Sequence, residues 1–181
     1  MAFPERLTTE RLTLRRWSEE DVPGLVAVIS HPEVWTALWP GREPDAAFAA
    51  ARVEHHLRHW VQHGFGLLVV ELGDASPEIA GWAGPAHPDF APGLETEVEI
   101  GWTLARAHWG RGLATEAARA AVEATFGALD VERVISLVHP RNRRSRGVAR
   151  RLGMERVCQV QAGALPLEVH ELRRPGVGGG A

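Results

Sequence analysis

The chain has 181 residues, a formal net charge of −3 and one cysteine, Cys158. This length suits one domain with a sizeable core, the charge argues against a nonspecific nucleic-acid binder, and one cysteine excludes an internal disulfide. All 20 basic residues are arginines, which excludes nucleotide hydrolysis by a phosphate-binding loop that requires lysine. No apolar run approaches a membrane span, and the first residues lack the layout of a signal peptide. Because a single cysteine suits a reducing compartment, we expect a cytoplasmic location.

The spacing of apolar residues predicts a mixed sheet with helices on both faces, an α/β fold class. The predicted strands cover residues 11–16, 65–72, 78–84, 94–104, 131–138, 156–160 and 165–172. The predicted helices cover residues 22–29, 45–64, 114–126 and 142–152. We assign residues 1–174 to one domain, with a right-handed parallel crossover over 98–138, and expect a disordered tail over 175–181.

A glycine-containing turn joins the fourth predicted strand to an alanine-rich helix. Its residues are Trp109, Gly110, Arg111, Gly112, Leu113, Ala114 and Thr115. Free backbone N–H groups at a helix N-terminus attract anions, and glycine lets a phosphate approach the backbone closely. The sequence therefore predicts a phosphate-binding turn.

This turn resembles the coenzyme A signature of the GNAT superfamily of acyl-CoA-dependent N-acetyltransferases, Q/R-x-x-G-x-G/A. Gly112 and Ala114 match its last two positions, and Trp109 departs from the first. The longer run 109–117 is similar to the RimJ/RimL branch, as are three other segments. They are Thr9-Glu10-Arg11-Leu12-Thr13-Leu14-Arg15, Asn142-x-x-Ser145 and Arg151-Leu152-Gly153-Met154. The resemblance covers nearly the whole chain and implies a splayed sheet of six or seven strands with about four helices.

The resemblance also implies a co-substrate, acetyl-CoA, and no metal. Its pyrophosphate would lie on the amides of residues 109–115, and its pantetheine arm would pair with Trp102, Thr103 and Leu104 like an added strand. Asn142 would reach the same arm. A backbone N–H near Trp102 or Thr103 would stabilise the oxyanion.

Acetyl transfer to an amine needs a base, and three carboxylates alternate along the fourth predicted strand. Glu95, Glu97 and Glu99 would then share one face, raise each other's pKa and attract a cationic amine. We expect Glu99 to be the base, acting through water, with Glu97 as second choice and substrate contact. A solvated acidic face is the alternative.

The chain has no tyrosine to protonate the departing thiolate. Ser145 occupies the place where the RimJ/RimL branch carries a serine near the thiol, so it is the candidate acid; a surface residue in the first helical turn is the alternative. Asn142 is also a good N-cap for the helix that follows.

Further residues are weaker candidates for binding. Arg111 could bind the pyrophosphate, and Arg141, Arg143, Arg144 and Arg146 could bind the 3′-phosphate of coenzyme A or form a solvated or RNA-facing patch. Trp35, Trp39 and His139 could contact the substrate, with core packing as the alternative for the two tryptophans. His55, His59 and His63 have helical spacing but no completing ligand, so we expect an exposed helix face and no metal site.

These observations favour an N-acetyltransferase that moves acetyl directly from acetyl-CoA to a protein N-terminal α-amine or a small-molecule amine. The alternative is a noncatalytic acyl-CoA-binding sensor. We expect no membrane partner and no nucleic acid, and a homodimer is left open.

Overall fold

The computed structural model describes residues 2–39, 41, 43–73 and 77–176, so the predicted tail lies outside the described residues from position 177 onward. Its strands, in chain order, are β1 (Arg6–Thr8), β2 (Leu12–Arg15), β3 (Leu68–Leu72), β4 (Glu78–Ala86), β5 (Glu99–Leu104), β6 (Arg133–Val138), β7 (Glu155–Ala162) and β8 (Leu165–Arg173). Its α-helices are α1 (Val22–Ile29), α2 (Pro32–Leu38), α3 (Ala46–His63), α4 (Leu113–Ala128) and α5 (Arg143–Leu152). Within these described ranges, no helix is long and apolar enough to cross a membrane.

The strands form one mixed sheet in the order β1-β2-β3-β4-β5-β6-β8-β7. Neighbouring strands are antiparallel except β5 and β6, which are parallel and joined through α4. The predicted mixed sheet and parallel crossover are therefore confirmed, and the crossover places the start of α4 at the end of β5.

Two hydrophobic cores cover opposite faces of this sheet. On one face α4 packs through Leu113, Ala117 and Ala121, which are nearly inaccessible, as its small apolar residues predicted. On the other face α1 and α3 pack through residues that include Leu25 and Val53. On β5, Ile100 and Leu104 are buried on the α4 side, whereas Glu99, Gly101 and Thr103 on the other face are only partly buried.

The structure contains two elements, β1 and α2, that the sequence pattern did not predict. Strand β1 has three residues, too few to give a recognisable alternation. Pro32 does not merely stop the first helix: it is the first residue of α2, a position where proline's missing N–H costs nothing. His31 caps this helix by accepting a hydrogen bond from the Glu33 N–H at 3.2 Å. The segment that carries Trp35 is therefore a helix of its own.

Candidate active site

The central feature of the site is the point where β5 and β6 separate. Their ladder consists of the Glu99–Ile135 pair. Beyond it, side chains replace the backbone ladder: the Ser136 hydroxyl donates to the Ile100 carbonyl at 2.6 Å, and the Leu137 N–H donates to Oε1 of Glu99 at 3.2 Å. Among the described residues the two strands share no further ladder pair, and we call the gap between their unpaired edges the slot.

The edge of β5 that faces this slot carries backbone N–H groups without strand partners. Ala105 donates its N–H to the Ala80 carbonyl of β4 at 2.8 Å. Because backbone groups alternate along a strand, the N–H of Thr103 also points to β4, whereas those of Trp102 and Leu104 point to the slot. Of the two N–H groups considered for the oxyanion, the one that faces the slot is that of Trp102.

The residue that departs from the signature has a clear contact. The indole Nε1 of Trp109 donates to the Leu104 carbonyl at 2.8 Å, so it satisfies the last carbonyl on the open edge of β5. Trp109 thereby ties the glycine turn to the end of that strand. Nothing in the sequence pattern indicates this bond, because it joins a side chain to a backbone atom five residues away.

The glycine turn presents a set of free amides at the start of α4. Gly110 and Gly112 have φ values of +79° and +78°, which side-chain-bearing residues rarely adopt. In the part of the chain that the structure describes, the N–H groups of residues 110–114 have no hydrogen-bond acceptor, whereas the Thr115 N–H bonds the Gly112 carbonyl at 3.1 Å. The Thr115 N–H is therefore not one of the free amides, although the sequence pattern included it in the predicted site. That residue's hydroxyl instead accepts from Nε of Arg151 at 3.0 Å.

A second motif supports this turn from the side. Glu116, in the first turn of α4, accepts hydrogen bonds from the Thr9 hydroxyl at 2.6 Å and from Nε of Arg11 at 2.7 Å. Arg11 also donates to the Arg111 carbonyl at 3.0 Å. The Thr9-Glu10-Arg11 segment therefore braces the glycine turn, a role that its sequence alone did not predict. A groove of about 560 Å³ adjoins Gly112 and includes Arg119 and Arg151, two further residues that the sequence did not single out.

The three alternating carboxylates do not share one strand face. Strand β5 begins at Glu99, and Glu95 and Glu97 lie in the turns before it, so the prediction of a single acidic face is wrong. The Pro- and Gly-rich segment before Glu99 folds as turns. Hydrogen bonds from the backbone N–H groups of Glu95 and Gly93 lower the pKa of the Glu95 carboxyl.

Glu99 is the carboxylate with chemistry suited to a base. Burial raises the pKa of its carboxyl to about 7, the Leu137 N–H opposes that rise, and the charge of Asp89 adds to it. The main cause is therefore removal from water and not mutual repulsion among the glutamates. Glu99 as a whole residue remains partly accessible to solvent.

Glu97 has a different environment. Its carboxylate accepts hydrogen bonds from Nη2 and Nε of Arg133, at 2.6 and 3.3 Å. The same guanidinium donates to Glu171 at 2.7 Å. The positive charge of Arg133 thus compensates the charge of the Glu97 carboxylate. The same arginine ties the start of β6 to β8.

Asn142 and Ser145 lie where the sequence placed them, at the start of α5. Asn142 Oδ1 accepts the Ser145 N–H at 3.0 Å, which confirms Asn142 as the N-cap. Nδ1 of His139 accepts the Arg141 N–H at 3.1 Å and so shapes the turn that follows β6. The slot is therefore bordered by β5 and the glycine turn on one side and by β6 and the start of α5 on the other.

The arginine cluster divides into engaged and free members. Nε of Arg146 contacts Glu168 at 3.1 Å, and Nη2 of Arg144 contacts Glu33 at 3.5 Å. Arg141 and Arg143 are exposed, and their guanidinium groups have no partner in the described part of the chain. Arg111 is also exposed, and its Nη1 lies 3.3 Å from Nδ1 of His108.

The two tryptophans near α2 have unequal surroundings. Trp39 packs edge to face on Phe48 with ring centroids 4.7 Å apart, as the core-packing alternative expects. The indole N–H of Trp35 is buried and, among the described residues, has no hydrogen-bond acceptor, as is also true of Trp17.

The expected exposed histidine face is wrong for His59, which is buried. Its Nδ1 bonds the Phe65 carbonyl at 2.9 Å, and its Nε2 accepts the His87 N–H at 3.0 Å. Burial lowers the pKa of His59 to about 4, so the ring is neutral and structural. Among the described residues, no group of three or more histidine, cysteine, aspartate or glutamate side chains could hold a metal ion.

This α/β protein has a mixed sheet whose parallel pair ends beside free amides at a helix start, and comparison with known proteins identifies its family. Residues 11–155 match the acetyltransferase (GNAT) domain, and the chain belongs to this family. The uncharacterized N-acetyltransferase p20 of Bacillus licheniformis is 33% identical over 141 residues, which cover 76% of this chain and 75% of p20.

Solved structures show the same fold. An acetyltransferase from Agrobacterium tumefaciens is 32% identical, with a TM-score of 0.78 and 96% of each chain covered. RimL, a ribosomal L7/L12 alpha-N-protein acetyltransferase in complex with coenzyme A, is 19% identical, with a TM-score of 0.73, 94% of this chain covered and 97% of RimL covered. At that identity the similarity to RimL shows the fold alone.

Proposed function

We propose that this acetyltransferase moves an acetyl group from acetyl-CoA to a primary amine by direct transfer in a ternary complex. The acceptor would be the N-terminal α-amine of a protein or a small-molecule amine. The observation that carries the proposal is the slot between β5 and β6, where a carboxyl with a raised pKa stands beside unpaired strand N–H groups.

The residues around the slot offer groups suited to each part of the cofactor. The free N–H groups of residues 110–114 would bind the pyrophosphate, where the α4 dipole also favours negative charge. The slot-facing N–H of Leu104 would pair with the pantetheine arm, and the Asn142 side-chain NH₂ remains available for the same arm. Arg111, Arg141 and Arg143 would supply positive charge, since their guanidinium groups are exposed.

Acetyl-CoA would supply the activated thioester, and three groups of the chain would act on the reaction. Glu99 would take the proton from the attacking amine through water, since its pKa near 7 makes proton transfer easy at neutral pH. The Trp102 N–H would stabilise negative charge on the carbonyl oxygen. The Ser145 hydroxyl would donate a hydrogen bond to the departing sulfur.

The acceptor would enter on the α2 side of the sheet. Glu99 points to this side, because Ile100 and Leu104 alternate with it and pack in the core on the α4 side. Trp35 and His139 are the aromatic candidates for contact with the acceptor, and the unpaired indole N–H of Trp35 favours it over Trp39. Because Arg133 compensates the charge of the Glu97 carboxylate, the attraction of Glu97 for a cationic amine would be weak.

The direct test combines calorimetry with an assay of coenzyme A release over a panel of peptide N-termini and small amines. We expect the wild type to bind coenzyme A and to turn over at least one amine. The Glu99→Gln variant should keep coenzyme A affinity and lose turnover. Loss of affinity together with turnover would contradict the role of Glu99 as base.

The noncatalytic sensor is the second candidate, and the absence of tyrosine from the sequence favours it. The sensor would bind coenzyme A tightly and release none from acetyl-CoA with any amine. The proposal also includes membership of the RimJ/RimL-like branch and a cytoplasmic location. Sedimentation would decide whether the protein is a monomer or a homodimer.

A further inference from the structure

A group of four side chains bridges the two sides of the slot; we call it the clasp. Trp109 lies at its centre, with the Arg106 guanidinium carbon 5.1 Å from its ring centroid on the glycine-turn side. The guanidinium carbon of Arg144 lies 4.6 Å from the same ring and comes from α5, on the other side of the slot. The Arg144 side chain therefore crosses the mouth of the slot.

The fourth member, Glu33, connects the clasp to α2. Its Oε2 contacts Nε of Arg106 at 2.5 Å, and its Oε1 contacts Nη2 of Arg144 at 3.5 Å. These arginines lower the pKa of Glu33, Arg106 being the principal cause, so Glu33 is ionised at neutral pH. One carboxylate thus holds both arginines, and α2 is fixed to both sides of the slot.

The clasp contacts both ligand regions of the proposed reaction. Trp109 bonds the last carbonyl on the open edge of β5, next to the path of the cofactor arm. Glu33 stands two residues before Trp35, whose buried indole N–H has no acceptor among the described residues. A change at the mouth of the slot would therefore be transmitted to the helix that borders the acceptor side.

Resting on the proposed function, we propose that the clasp closes over a bound acyl-CoA and that Glu33 is a positioning residue that couples cofactor occupancy to α2. Each contact is partly exposed, and single exposed ion pairs stabilise little. A planar guanidinium that both stacks on an indole and pairs with a carboxylate stabilises the closed arrangement more than a single ion pair does, because one side-chain geometry satisfies both contacts. Opening the clasp would then be a step in cofactor release.

The first test measures release of a fluorescent coenzyme A analogue chased by excess coenzyme A. Glu33→Gln and Arg144→Gln should each speed release by about five- to tenfold, and the double variant should be little faster than either, since both disrupt the same contact. Arg144→Lys, which keeps the charge and loses the planar stack, should fall between wild type and Arg144→Gln. Glu54→Gln and Arg58→Gln are matched controls, because they break an exposed Glu–Arg pair of α3 away from the slot.

The second test measures hydrogen exchange of the α2 amides with and without coenzyme A. In the wild type and in Glu54→Gln, coenzyme A should slow exchange in α2; in Glu33→Gln this cofactor-dependent protection should be lost. The clasp proposal would be overturned by unchanged release rates in both clasp variants, by additive effects in the double variant, or by tighter binding of coenzyme A in either variant. In each of these cases, coenzyme A binding by the wild type would leave the proposed function standing. A wild type that binds no coenzyme A would instead overturn the proposed function and the clasp with it.

Discussion

Glu97 and Glu99 stand two residues apart, yet their surroundings are opposite. In the turns before β5, Glu97 is held by Arg133, which also bonds Glu171. At the first residue of β5, Glu99 has a backbone N–H as its partner and a pKa raised to about 7 by burial. The partner and the access to water, and not the spacing along the chain, therefore decide which carboxylate can serve as a base.

The strongest test of this contrast exchanges each carboxylate for an amide of the same shape. Glu99→Gln should lower the rate of acetyl transfer by about 10²- to 10³-fold, because the amide cannot accept the proton. Glu97→Gln should change it by about threefold or less, since it alters a partly exposed ion pair. The rate is measured as coenzyme A release at saturating acetyl-CoA. Equal losses of rate in the two variants would contradict the different roles of Glu97 and Glu99.

The pH dependence of the rate tests the same contrast through ionisation. Glu99 must be deprotonated to act, so kcat should fall about tenfold per pH unit below about 7 and level off above it. Glu97→Gln should retain this limb. A wild-type profile that stays flat from pH 5 to 8 would show that no group with a pKa near 7 controls the reaction.

The raised pKa of Glu99 also predicts a cost in stability. The pKa is about 7 in the folded chain against an ordinary value of 4.5, so the folded state loses stability as pH rises from about 4.5 through 7. At pH 8 Glu99→Gln should therefore be more stable than wild type, by on the order of 2 kcal/mol or roughly 4–8 °C in Tm. Calorimetric melts at pH 8 and pH 4.5 would measure this, and an equal gain at both values would contradict the assignment.

The glycine turn offers a smaller and independent test. Gly110 and Gly163 both have positive φ and open space where a methyl group would stand, so Ala should strain each backbone by roughly 1–2 kcal/mol. Only Gly110 lies among the free amides, so Gly110→Ala should weaken coenzyme A binding about tenfold. Gly163→Ala, in the turn between β7 and β8, should melt earlier and bind normally. Equal affinities in the two variants would argue against the amide site.

The sequence predicted the parts of this molecule that depend on local patterns. The helix starts at Asp45 and Asn142, the small buried face of α4 and the glycine turn all follow from residues close together in the chain. The alternating glutamates predicted a raised pKa for Glu99 through a shared strand face. Glu95 and Glu97 lie outside β5, and burial raises that pKa instead. Ser136, Trp109 and Glu33 act through contacts with backbone or side chains of other elements, and such contacts depend on the packed fold.

A crystal structure of the chain with coenzyme A would test the central claim most directly. We expect the pyrophosphate on the amides of residues 110–114 and the arm between β5 and β6. The sulfur should then lie between the Trp102 N–H and the Ser145 hydroxyl, close to Glu99. Coenzyme A bound elsewhere, with β5 and β6 enclosing no ligand, would contradict it.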